Sequence, residues 1–210
     1  MVGSHPDVQL IPWETGWFLG DDNGEHPISE LKQFLKDGVS IVVEKTPRHV
    51  YHIDKIANTI KGTKFLVTIR NPLDLVSSLL VRYQDWDRAL ARVLEDFEAI
   101  EEIAGRDDVL IVHYEDLVVK TEETLREVCT HVKIGFDPEI LQWHTNPPNW
   151  FGVEPAASEG VGELEHMRRR AWQVQQPLFN GTGRWQHELD STHVVMAKKA
   201  FHGLANRWGY

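Results

Sequence analysis

The 210-residue chain has a single cysteine, Cys129. One cysteine excludes an intrachain disulfide framework and a zinc knuckle. Leu125, Val128 and Val132 recur around it at helical spacing, which assigns the thiol to a packed apolar stripe. No run approaches the roughly 18 apolar residues of a membrane span. His5, Pro6 and Asp7 stand where a secretory leader needs a charged start and an apolar stretch. A cytoplasmic protein with no membrane partner is therefore expected. Excess positive charge is missing too: 22 Lys and Arg face 32 Asp and Glu, for a net charge of −10. That excludes a general nucleic-acid binder, which needs a basic face. It leaves room for a local cationic cleft that holds a small anion. No Gly-x-x-x-x-Gly-Lys-Ser/Thr phosphate loop occurs anywhere, and no internal repeat is visible.

What is present suits one globular domain over residues 1–210, with 41% hydrophobic and 26% charged residues. Three segments read as strands: 39–43 (VSIVV), 64–70 (KFLVTIR) and 109–113 (VLIVH). Each is nearly continuous in apolar character, the pattern of strands buried on both faces of a parallel sheet. Helical periodicity fills the intervals, over 28–36, 49–61, 73–83, a long stripe from Trp86 to Ile100, 121–132 and 193–206. Strands alternating with helices predict βαβ units, hence an α/β fold with a parallel sheet flanked by helices. Residues 143–185 differ, being dense in Gly, Pro and Trp. A stretch of that kind suits a lid or substrate wall.

In open parallel sheets, ligands bind beyond the carboxyl ends of the strands. The three strands run into Glu44-Lys45-Thr46-Pro47, Arg70-Asn71-Pro72 and His113-Tyr114-Glu115-Asp116. Arg70 ends a strand where Pro72 begins a helix, so a bidentate cation sits beside free backbone N–H groups. Ser78, two turns on, could add a hydroxyl to the same anion. Alternatively, Arg70 pairs with Asp74 and Ser78 merely packs.

These residues, in this order, resemble a known family. Glu44-Lys45-Thr46-Pro47-Arg48, the run from Ile69 to Ser78, Tyr114-Glu115-Asp116-Leu117 and Gly183-Arg184-Trp185 are similar to the PAPS-dependent sulfotransferases. The carbohydrate, tyrosyl-protein and bacterial branches look nearest. The resemblance implies a P-loop-like sulfotransferase fold. It also implies that Arg70 and Ser78 hold the 3′-phosphate of PAPS, that Tyr114 lines the nucleotide pocket, and that Arg184 is a second 3′-phosphate ligand. Lys45 corresponds to a basic residue near the transferred sulfuryl group, and Glu14 to the general base. PAPS is the implied co-substrate and PAP the product, with no metal. The acceptor is the hydroxyl of a sugar or small molecule, while tyrosyl and lipid acceptors stay open.

One family element has no counterpart. A first strand and Gly-rich Ser/Thr turn normally grip the 5′-phosphosulfate, yet only four residues precede His5. The expectation is an N-terminally truncated chain without that strand and loop, or else a degenerate, non-catalytic binding module. Asp85-Trp86-Asp87 keeps a nucleotide-sugar glycosyltransferase as a third possibility. His49 and His52 form a chance pair rather than a metal site, and Arg168-Arg169-Arg170 reads as a solvated helix face.

Overall fold

A computed structural model describes residues 1–20, 25–35, 39, 41–157 and 163–210. In chain order the regular elements are β1 (Val8–Leu10), α1 (Glu25–Phe34), β2 (Ile41–Val43), α2 (Ile53–Thr59), β3 (Phe65–Ile69), α3 (Pro72–Tyr83) and α4 (Trp86–Ile103). They continue with β4 (Val109–His113), α5 (Tyr114–Val119), α6 (Thr121–Val132), α7 (Glu163–Gln173), α8 (Trp185–Glu188) and α9 (Ser191–Trp208). The architecture is α/β, with parallel strands flanked by helices. Packing groups the chain into two compact units, Met1–Lys64 with Thr121–Leu178 and Phe65–Lys120 with Phe179–Tyr210.

In the first unit, β1 and β2 run parallel, with Val8 opposite Ile41 and Leu10 opposite Val43. Ile11, Phe18, Ile53, Ile56, Leu125, Val128, Cys129, Ile140 and Trp150 form the core. Burial of Cys129 on α6 agrees with the apolar stripe. His5 is buried and pins the start of β1. Its Nδ1 accepts from the Asp7 amide at 3.1 Å, which leaves Nε2 to donate to the Gly135 carbonyl at 2.9 Å.

In the second unit, β3 and β4 pair in parallel from Phe65–Val109 to Ile69–His113. The connection between them is α3 and α4, and α9 packs on both helices. Val76, Ala89, Val93, Phe97, Ile100, Ala197 and Phe201 fill the interior. Local sequence sets the helix limits. The Asn71 side chain accepts from the Leu73 amide and Pro72 occupies the first turn of α3. Asp85 and Asp190 cap α4 and α9 in the same way. Gln84, in the left-handed region at φ 52°, ends α3.

Several expectations need correction. The strands are not buried on both faces. In β3 exposure alternates and Leu66 remains 37% exposed, so one side of the strand is only partly covered. β1 was not expected; three residues are too few to show a period. The helix anticipated over 49–61 divides at His52, whose non-helical φ/ψ separates a 3-10 turn (Pro47–His52) from α2. Residues 143–185 are not all loop: α7 lies within them and carries Arg168, Arg169 and Arg170. Lys36 of the anticipated first helix, Ser40 of the anticipated first strand, and Gly160 and Gly162 lie outside the described residues. Among those residues, no helix is long and apolar enough to cross a membrane.

Candidate active site

The expected site residues fall into two groups, one in each unit. The second unit holds Arg70, Ser78, Tyr114 and Arg184. Arg70 follows β3 directly, and its guanidinium lies 4.8 Å over the Tyr114 ring. Cation–π contact fixes the plane of the guanidinium. One Nη donates to the Gly181 carbonyl, while the Asp74 carboxylate stands 3.7 Å away. Nε is buried and has no hydrogen-bond partner among the described residues. An orphaned guanidinium N–H is costly, and an anion at the start of α3 would satisfy it. Ser78 is exposed on α3, whereas its neighbour Ser77 is buried.

Tyr114 begins α5. Its hydroxyl donates to the Phe179 carbonyl at 2.7 Å and accepts from the Gly181 amide at 3.2 Å. Gly181 packs closely: a Cβ there would press on Phe179 Cε2 at 3.1 Å, Arg70 Nη2 at 3.2 Å and the Tyr114 hydroxyl at 3.3 Å, and each would have to give way by a few tenths of an ångström. Gly183 is required for conformation, with φ at 79°. The turn they form is tied to α3 by Asp74. That carboxylate, 2% exposed, accepts from the Gly183 amide at 2.8 Å and the Trp185 amide at 3.1 Å. Ser77 adds a second tie, donating to Glu188 at 2.5 Å. Glu188 also pairs with the exposed Arg184. The Ser77 hydrogen bond is the largest influence on Glu188. With the Arg184 charge, it outweighs desolvation and holds the carboxyl below its ordinary range.

Behind this cluster, Glu115 accepts from the Asn71 amide at 2.9 Å and from the Tyr210 hydroxyl at 3.0 Å. Burial first, then the Glu115 charge, pushes the phenol of Tyr210 far up, so it stays a donor.

Glu14 and Lys45 belong to the first unit, where they form an ion pair. Lys45 also lies 5.2 Å over the Trp150 ring. The neighbouring Glu44 is the hub of this region. Its carboxylate accepts from the Thr15 amide and hydroxyl at 3.1 and 2.9 Å, from the Thr46 hydroxyl at 2.5 Å, and pairs with His49 at 3.0 Å. Burial alone raises its pKa, but hydrogen bonds led by His49 and Thr46 prevail and the carboxyl lies below its ordinary range. His49 is thus engaged by Glu44. Among the described residues, no group of three His, Cys, Asp or Glu side chains is arranged to hold a metal. Asp85 caps α4, accepting from the Arg88 amide at 3.0 Å.

The structure therefore brings Arg70 to Tyr114, and Glu14 to Lys45. It reveals Asp74, Ser77, Glu188 and Glu44, none of which was singled out as a site residue. Asp74 left a trace in the sequence as a carboxylate four residues after Arg70, Glu44 as a polar residue at a strand end, and Ser77 within the run from Ile69 to Ser78; Glu188 left none.

The profile of the sulfotransferase family matches residues 14–138, more than half of the chain. Among solved structures, mouse sulfotransferase SULT7A1 complexed with PAP superposes with a TM-score of 0.60 at 15% identity, over 97% of this chain and 77% of that one. The sulfotransferase domain from the curacin biosynthetic pathway gives 0.53 at 17% identity, over 81% of this chain and 67% of that one. The sulfotransferase domain of the Synechococcus PCC 7002 olefin synthase gives 0.52 at 16%, and this chain spans 62% of its length. Likeness at such identities is likeness of fold. No curated protein sequence matches the chain. On the strength of the profile match, this chain belongs to the sulfotransferase family.

Proposed function

We propose that the chain serves sulfuryl transfer from PAPS to a hydroxyl acceptor, a sugar or another small molecule. The observation that carries this reading is Arg70: a guanidinium stacked on Tyr114 at the start of α3, with a buried, unpartnered N–H. That donor set suits a phosphate monoester. Arg70, Ser78 and Arg184 would hold the 3′-phosphate of the nucleotide, and Tyr114 would line its pocket. The PAP seen with the mouse relative is of the same chemistry. When bound, PAPS supplies an activated sulfuryl group. The chain's own residues supply the rest. Glu14 takes the proton from the acceptor hydroxyl. Lys45 offers positive charge where negative charge develops. No step of this scheme calls on a metal.

Titration calorimetry with PAP, against ATP and ADP as controls, tests the nucleotide site. Selective PAP binding is expected, weakened at least about tenfold by Arg70→Ala, the loss of one charge-assisted pair, and to a lesser degree by Ser78→Ala. Equal affinity for ADP, or an indifferent Arg70→Ala, would sink the reading. A second reading, nucleotide binding without transfer, is favoured by the lack of a Gly-x-x-x-x-Gly-Lys-Ser/Thr loop in these residues. It predicts PAP binding with no acceptor sulfated when PAPS is supplied.

A further inference from the structure

We propose that Glu44 is a positioning residue that holds Glu14 and Lys45 in register with each other. The inference rests on the catalytic reading of those two residues, but its geometry stands apart from it. Glu14 and Lys45 lie 31 residues apart in sequence and meet through exposed side chains. Long exposed side chains pair weakly and cost entropy to hold in one geometry. What fixes them must act on the backbone that bears them. Thr15 follows Glu14, and Thr46 follows Lys45. One carboxylate oxygen of Glu44 accepts from the Thr15 amide, the Thr15 hydroxyl and the Thr46 hydroxyl, at 3.1, 2.9 and 2.5 Å. The Gly16 amide donates in turn to the Thr46 hydroxyl at 3.1 Å, so the two segments are linked twice. Gly16 has φ of 62°, the left-handed turn that brings its amide onto Thr46.

The other Glu44 oxygen is held by His49, whose Nδ1 lies 3.0 Å away. His49 Nε2 accepts from the Phe18 amide at 3.5 Å, which places the ring proton on Nδ1. The hub is largely shielded: the Glu44 side chain keeps 16% of its exposure, and Thr46 is buried. Glu44 acts through the residues next to Glu14 and Lys45, accepting from Thr15 on one segment and Thr46 on the other. In-line transfer punishes misplacement of the reacting groups, with a shift of about 1 Å costing about a hundredfold in rate. A single ionised carboxylate at the junction of both segments is suited to prevent such a shift.

The test needs neither donor nor acceptor. Folded protein is acetylated with a lysine-reactive ester, and the labelling rate at each lysine is read by mass spectrometry. In the wild type, the ion pair protects Lys45. Glu14→Gln raises its labelling about two- to fivefold, the protection an exposed pair confers. Glu44→Ala is expected to raise it as much, with Lys198 unchanged. Glu44→Gln, which keeps one accepting oxygen, should return most of the protection. In a Glu14→Gln background, Glu44→Ala should add nothing further. Should Glu44→Ala fail to fold, the Thr15→Val and Thr46→Val pair reports on the same link. Unchanged Lys45 labelling in folded Glu44→Ala or in the threonine pair overturns the proposal, as does an additive effect over Glu14→Gln. Where turnover is measurable, Glu44→Ala should lower kcat and leave PAP affinity unchanged. Loss of PAP binding by the wild type would defeat the proposed function yet leave the labelling result intact.

Discussion

At the scale of single residues, the cluster in each unit is organised by a carboxylate rather than by its cation. Arg70 and Lys45 are the residues a reader notices first, but Asp74 and Glu44 hold them in place. Glu44 also sets a pH dependence whose sign follows from its environment. Its carboxyl lies below the ordinary 4.5 in the fold, because hydrogen bonds led by His49 and Thr46 outweigh the effect of burial. A depressed carboxyl pKa means that the unfolded chain binds the proton more readily. The stability Glu44 contributes is therefore complete above pH 4.5 and is lost as pH falls through its lower folded value. Thermal melts should show Glu44→Gln less stable than wild type at pH 7, with the gap closing as the pH drops below 4.5. A gap that stayed constant across that window would mean that the carboxylate is not held ionised by these partners. Sequence reasoning placed Glu44 at a strand end and at the head of the Glu44–Arg48 motif, but no local pattern shows that its carboxylate meets Thr15 across the fold.

At the scale of elements, the strand-to-helix step from β3 to α3 was the most legible part of the chain. Pro72 marks the first helical turn, and Arg70 stands just outside it, as pattern and capping rules require. Thr121 to Val132 was equally clear, because its apolar stripe runs unbroken to the Gly-containing turn. β1 escaped because three residues carry no period; of α7 only the Arg168–Arg170 face was read as helix, because the Gly and Pro around it suggested loop. What no local pattern encodes is how the Gly181–Trp185 turn attaches to α3. Asp74 does this with two backbone N–H bonds across more than a hundred residues of sequence. Asp74→Asn keeps one acceptor and presents an amide N–H to the other donor, at a cost of about 1.5–3 kcal/mol for a hydrogen bond to a buried charge. Amide exchange at Gly183 and Trp185 should then accelerate at least about tenfold, since 1.4 kcal/mol is one decade. Exchange in α4 should not change. If Gly183 and Trp185 kept their protection, the turn would be held by the Ser77–Glu188 tie instead.

At the scale of the whole molecule, a net charge of −10 surrounds a proposed site for a polyanion. Local geometry must therefore overcome a field of the wrong sign. The cations assigned to the nucleotide are few, and each already has a carboxylate nearby: Asp74 for Arg70, Glu188 for Arg184. Two opposing salt effects follow. Salt weakens attraction between the anion and these cations, and it also screens repulsion from distant carboxylates. The Debye length is about 30 Å at 0.01 M and about 8 Å at 0.15 M. Raising salt across that range removes most of the distant repulsion, while contacts formed within the partly buried cluster are screened much less. PAP affinity should therefore stay level or rise slightly between those salt concentrations, whereas a basic nucleotide site would lose affinity steadily. Calorimetric titrations at several salt concentrations decide the matter. A steep, monotonic loss of affinity would show that basic residues beyond Arg70 and Arg184 carry the binding.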